Sequence, residues 1–202
     1  MGTHETIRHL ITEVLTGTEL RLQVDSYNLT ENFETGEVAL RCEVHDRRTG
    51  EQKTISGQGV GLVDAMFNGI VRLYSDAYPS LKTIRCSDFH IKANVATARV
   101  ASGTDMTAQV FLRVKNSEGI EFTFEHDSAS ITRSAVSAVL DAAEFFINSE
   151  RAFIAVFRAL EYARKEARPD SIGHYTEQLT TLVEATSYSE VIEQIRKSEL
   201  KK

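Results

Sequence analysis

The chain has 202 residues, 42% of them hydrophobic and 26% charged, with a formal net charge of −6. That composition describes a soluble globule able to bury one good core and a smaller appendage. It carries no basic stripe interleaved with aromatics, which excludes nucleic acid as an expected partner, and no run of about eighteen apolar residues that would span a membrane. The start, Met1-Gly2-Thr3-His4-Glu5-Thr6, lacks the basic and apolar stretches of a secretory leader, and Gly2 fits a lipidation signal poorly. Cys42 and Cys86 both sit in strand-like runs, so buried thiols in a reducing, cytoplasmic setting are expected rather than a disulfide framework.

Residues 4–16 carry Ile7, Leu10, Ile11, Val14 and Leu15 on one helical face, ended by Gly17. Leu20, Leu22 and Val24 then alternate with polar neighbours, the period of a half-buried strand. A polar break follows at Asn32–Gly36. Val38, Leu40, Cys42 and Val44 form a cleaner strand. Asp46–Gly50 reads as a hairpin connection with Gly50 at positive φ, and residues 51–56 return as a more polar strand.

Gly57-Gln58-Gly59-Val60-Gly61 comes next, followed by a helical pattern from Leu62 to Asp76 that stops before Pro79. A glycine stretch opening a helix brings free N–H groups close to any bound anion, a carboxylate for instance. On the residues alone it reads first as a purely structural turn, with a ligand-contacting turn as the alternative. The third glycine comes one position early for a dinucleotide fingerprint, and no Gly-Lys-Ser/Thr closes a phosphate loop. Asp64 lies in the first helical turn, where a carboxylate is favourable with or without a ligand. Gly69 inside the helix costs about 1 kcal/mol of propensity relative to Ala, which a close approach of neighbouring backbone explains.

From Leu81 the grammar repeats. Residues 83–93 read as a strand with a bulge, and Ala108, Val110, Leu112 and Val114 mirror Val38, Leu40, Cys42 and Val44. Lys115–Gly119 is the matching turn, Ile120, Phe122 and Phe124 the return strand, and residues 132–148 a helix. Two tandem strand-strand-strand-helix units related by pseudo-symmetry predict an α+β layer fold over residues 1–148. The second unit has side chains throughout Phe124–Ser128 where the first has glycines. Between the units, Gly103-Thr104-Asp105 reads first as a turn, since Thr and Asp bond their own backbone.

Residues 149–202 carry only helical patterns, broken at Arg168-Pro169-Asp170, with Ser187 and Glu190 spaced as a capping box. These C-terminal helices need an apolar surface, either the main domain or a second subunit. No catalytic set emerges. His45, His90, His126 and His174 are dispersed, so no metal site is expected. His126-Asp127-Ser128 are adjacent residues on a turn and cannot form an orienting relay. No enzyme activity and no cofactor are expected.

The segment Gly57-x-Gly59-x-Gly61-x-Val63-Asp64-Ala65-x-Phe67 resembles the hallmark of the C-terminal regulatory domain of the alpha-isopropylmalate synthase and citramalate synthase family. Gly103-Thr104-Asp105-x-x-Ala108-Gln109 resembles the second motif of that domain, and the likeness covers roughly residues 18–148. The resemblance implies an α+β module that dimerises and binds leucine or isoleucine as feedback inhibitor, beside a separate catalytic barrel that nothing in this chain supplies. It further implies effector binding by Gly57, Gly59 and Gly61 with Leu62, Val63, Asp64 and Phe67 beside them, and by Gly103, Thr104 and Asp105. The expected partners are a second copy in a homodimer, a branched-chain amino acid or related carboxylate, and a metabolic enzyme. Two departures stand out: the second glycine turn is replaced around Thr123 and Glu125, and Thr107 is an extra residue before the Ala-Gln pair. A scaffold that kept the fold without the ligand is the alternative.

Overall fold

The computed structural model describes residues 3–95, 106–186, 190–193 and 195. In chain order it contains α1 (Thr3–Leu15), β1 (Leu22–Asn32), β2 (Glu37–Asp46), β3 (Gln52–Gly59), α2 (Leu62–Tyr74), a 3-10 turn (Pro79–Lys82), β4 (Arg85–Val95), β5 (Met106–Lys115), β6 (Glu121–Ser128), α3 (Ile131–Lys165) and α4 (Pro169–Val183). The strands form two antiparallel three-stranded meanders, β1-β2-β3 and β4-β5-β6. The fold is therefore α+β, with the β-β-β-α unit used twice, and helices following it.

The two units match in detail. Register slips between Val24 and Ser26 in β1 and between Cys86 and Asp88 in β4, so each first strand carries a bulge near its start. Gly50 and Gly119 take φ of 72° and 79° in the equivalent hairpin turns, a region open to residues without Cβ. In each middle strand one face is sealed: Val38, Leu40, Cys42 and Val44, and Val110, Leu112 and Val114, are at most 3% exposed.

The helices cover those faces unevenly. Helix α2 lies on β3 and β2, and α3 on β5 and β6; neither packs broadly on the first strand of its sheet. Tyr27 and Leu29 of β1 stand opposite Cys42 and Leu40, on the sealed face, yet are 36% and 40% exposed. Phe89 and Ile91 of β4 stand opposite Leu112 and Val110 and are 37% and 42% exposed. Four apolar side chains at pseudo-equivalent positions thus face inward without a cover.

Several expectations change in extent. Strand β1 runs on to Asn32, because Tyr27 and Leu29 continue the alternation past the bulge. The helix expected over 132–148 continues unbroken to Lys165, a 35-residue α3. No breaker stands at 148–149, and the stripe of Phe145, Ser149, Ala152, Phe153 and Val156 stays buried through it. Past Lys165 the helical run breaks at Ala167, with φ of 51°, and Pro169 starts α4. Phe145, Phe146 and Phe153 are therefore core within one chain, not a subunit contact. Helix α1 closes the Phe cluster of the second unit: the His4 ring meets Phe122, Phe124 and Phe145 edge-on at 5.6, 5.1 and 4.6 Å. Cys42 is buried as expected, whereas Cys86, beside the β4 bulge, is exposed. The capping-box residue Ser187 lies outside the described residues.

Candidate functional site

The glycine segment is not a loop. Gly57 and Gly59 belong to β3, where they pair with Leu40 and Val38 on the face that α2 covers. A Cβ on Gly57 would lie 1.8 Å from the Ala65 carbonyl oxygen and 2.6 Å from the Gly69 nitrogen. One on Gly59 would lie 2.3 Å from Asp64 Oδ2 and 2.7 Å from the Ala65 nitrogen. Gly69 answers from the helix side, with its absent Cβ 2.7 Å from Ile55 Cγ2 and 3.1 Å from the Gly57 nitrogen. Three glycines thus let a helix backbone rest directly on a strand, which is the close approach that Gly69 predicts.

Helix α2 also ties down the free edge of β3. Asn68 Nδ2 donates to the Gln58 carbonyl at 2.9 Å, and Val60 N–H donates to Asp64 Oδ2 at 3.1 Å. Asn68 and Asp64 are one turn apart, so a single helix face serves both groups. Asp64 accordingly takes up a backbone donor that would otherwise be unpaired.

Gly61 differs from the other two. It is the N-cap of α2, extended at φ −175° and ψ 174°, and open space surrounds its missing Cβ. The N–H groups of Leu62, Val63 and Asp64 follow in the first turn, before any intrahelical carbonyl is in register. Leu62, Val63 and Phe67 are half-buried, and Val60 beside them is 87% exposed. A depression of about 350 Å³, lined by Asn28, Thr30, Arg41, Ser56, Gln58 and Arg72 among others, includes none of residues 60–64. What the corner offers chemically is a few amide donors, one carboxylate and an aliphatic wall. Gly103, Thr104 and Asp105 lie outside the described residues.

Reading the sequence alone passes over a second group, on the first half of α3. Arg8 Nη2 meets Asp141 Oδ2 at 3.0 Å, with His126 Nε2 at 3.8 Å from the same oxygen. Burial would raise Asp141, but His126 and the Arg8 guanidinium outweigh it and hold the carboxyl below its usual range. One turn on, Glu144 Oε1 accepts the Leu22 N–H, and burial pushes Glu144 up to about 7. These residues come from α1, β1, β6 and α3, a convergence that no local spacing signals. Among the described residues no three His, Cys, Asp or Glu side chains gather to hold a metal ion.

Comparison with known proteins accords with this architecture. The profile described as the LeuA allosteric (dimerisation) domain matches residues 2–147, so the family region takes in α1 as well as both sheets. A probable 2-isopropylmalate synthase of Archaeoglobus fulgidus is 29% identical over 123 residues, 61% of this chain and 21% of that protein. The match thus spans about a fifth of that relative's length. With its paired β-β-β-α units and the glycine-seated α2, the chain belongs to the LeuA allosteric (dimerisation) domain family, a non-catalytic regulatory module.

Proposed function

We propose that this chain acts in the cytoplasm as a homodimeric sensor of a branched-chain amino acid or related carboxylate, leucine or isoleucine first, and transmits occupancy to a metabolic enzyme. The observation that carries the dimer is the uncovered set Tyr27, Leu29, Phe89 and Ile91, on faces otherwise sealed by helices. A second copy bearing the same two strips is the occupant that fits, as expected for an isologous contact. The effector reading rests on the α2 corner. There the ligand carboxylate takes the amides of Leu62, Val63 and Asp64, its ammonium the free oxygen of Asp64, and its tail the side of Leu62 and Phe67. Gly57 and Gly59 support the corner from beneath, and Gly103, Thr104 and Asp105 complete the proposed set.

Calorimetric titration with leucine, isoleucine and valine tests this, with Gly61→Phe as the control. Open space around Gly61 lets the added ring obstruct the corner without disturbing the core, so binding should vanish while the solution mass is unchanged. A folded dimer that binds none of them at millimolar concentration supports the second reading, a dimerisation scaffold without ligand. The close helix–strand packing at Gly57 and Gly59 favours that reading, since it accounts for both residues without an effector.

A further inference from the structure

A larger cleft lies elsewhere. About 1080 Å³ of space opens between β1 and the first half of α3, bounded by α1, the β2–β3 turn and β6. It shares no residue with the α2 corner. Its lining is sorted by chemistry: Val24, Val136 and Leu140 give an apolar wall, and four arginines, Arg8, Arg21, Arg47 and Arg133, approach from separate elements.

The carboxylates present do not balance those arginines. Asp141 is held by Arg8 at 3.0 Å, and Arg8 is further fixed by its Nε bond to His4. Asp25 is taken by His45 at 2.8 Å. Among the described residues Arg21 pairs only with Glu19, at 4.0 Å. Arg47 donates its Nε to Gln23 at 3.0 Å, and neither Arg47 nor Arg133 forms an ion pair among the described residues. Glu144 alone remains to oppose them; its Oε1 is occupied by the Leu22 N–H, and burial keeps it partly protonated near neutrality. Guanidinium groups over an apolar wall receive a carboxylate in fork geometry and shelter a hydrocarbon chain. An ammonium would find no uncommitted carboxylate other than Glu144.

We propose that this cleft binds a small aliphatic carboxylic acid lacking an amino group, its carboxylate received by Arg47 and Arg133 and its hydrocarbon part laid against Val24, Val136 and Leu140. The site stands whether or not an amino acid binds at the α2 corner. Tyr27 belongs both to the cleft and to the uncovered sheet face, so the two regions adjoin.

Titration calorimetry of the full chain with 4-methyl-2-oxopentanoate, leucine and inorganic phosphate decides it. The keto acid should bind, with leucine and phosphate weaker by about tenfold or more, because leucine brings an ammonium among the arginines and phosphate lacks the hydrocarbon part. The double variant Arg47→Gln/Arg133→Gln should weaken the keto acid by a similar factor. Ser137→Phe, which fills the cleft from α3, should do the same, and melting curves verify that both variants fold. Lowering the pH from about 8 to about 6 should tighten binding as Glu144 takes up its proton. The charged groups around Glu144 are Asp141 on α3, Arg8 on α1, Glu19 and Arg21 ahead of β1, Asp25 on β1, Arg47 in the β2–β3 turn and His126 on β6, with Arg133 about three turns away along α3. Glu144→Gln should bind tightly across that range with a flattened profile. No binding at millimolar concentration, equal affinity for phosphate, a preference for leucine, or indifference to both the arginine pair and Ser137→Phe would each overturn the proposal. Gly61→Phe should leave keto-acid binding intact; loss there, with retention in the arginine variant, would move the ligand to the α2 corner and also refute the cleft.

Discussion

At the scale of single residues, three glycines in one short segment have two different jobs. Gly57 exists because the Ala65 carbonyl occupies the place of a side chain, whereas nothing lies within 4 Å of a Cβ on Gly61. Gly57→Ala should therefore cost about 3 kcal/mol or more, since rigid backbone must move. Gly61→Ala should stay within about 0.5 kcal/mol, because its extended φ suits any residue. Urea denaturation of the two variants measures the contrast. Glu150 is a second such residue. It is fully buried, its Oε2 accepts the Ser80 N–H at 3.0 Å, and Oε1 has no partner among the described residues. Burial raises it to about 7 from an ordinary 4.5. The native state thus holds a proton that the unfolded chain releases between those values, so stability falls as pH rises through that window and levels off above it. Glu150→Gln should match wild type near the bottom of the window and gain up to about 3 kcal/mol above it. Denaturation curves at several pH values give the slope; Glu144 contributes a remainder of the same sign.

At the scale of elements, alternation and helical stripes were legible because each strand has one wet face and each helix one dry stripe. Lengths were less so. Strand β3 extends through Gly57 and Gly59 because α2 supplies partners for its outer edge, Asn68 to Gln58 and Asp64 to Val60. A glycine-rich stretch has no propensity of its own to announce that. Helix α3 likewise passes residue 148 because its apolar stripe finds α4 to pack against. Ser149 sits in the middle of that continuous run, wholly buried, with its hydroxyl bonded to the Phe145 carbonyl at 2.8 Å. Ser149→Pro should cost about 3 kcal/mol or more by removing a helix hydrogen bond and clashing with the preceding turn. A marked drop in melting temperature and in helical circular dichroism is the expected record.

At the scale of the whole molecule, the repeat leaves a repeated vacancy. Each helix covers two strands of three, so Tyr27, Leu29, Phe89 and Ile91 remain half-exposed on faces built to be dry. Leu29→Asp combined with Ile91→Asp should convert a dimer to monomers with little loss of stability in the isolated chain, because both side chains already touch water. Sedimentation equilibrium checks this. An unchanged dimer mass would place the contact on another surface. Leaving α2 untouched, the same double variant separates association from effector binding at the corner.

Period and order were enough to specify two β-β-β-α passes, the sealed faces of β2 and β5, and a glycine segment leading into a helix. Those features are local: alternation, helical spacing and turn chemistry act over a few residues and leave a trace in the string. Tertiary structure alone decided what the glycines contact and which strands go uncovered. It also brought Arg8, Arg47, Arg133, Asp141 and Glu144 around one cleft. Such arrangements depend on how a helix of one unit meets a strand of the other, more than a hundred positions away in the case of Glu144 and Leu22, and packing over that separation has no period to read.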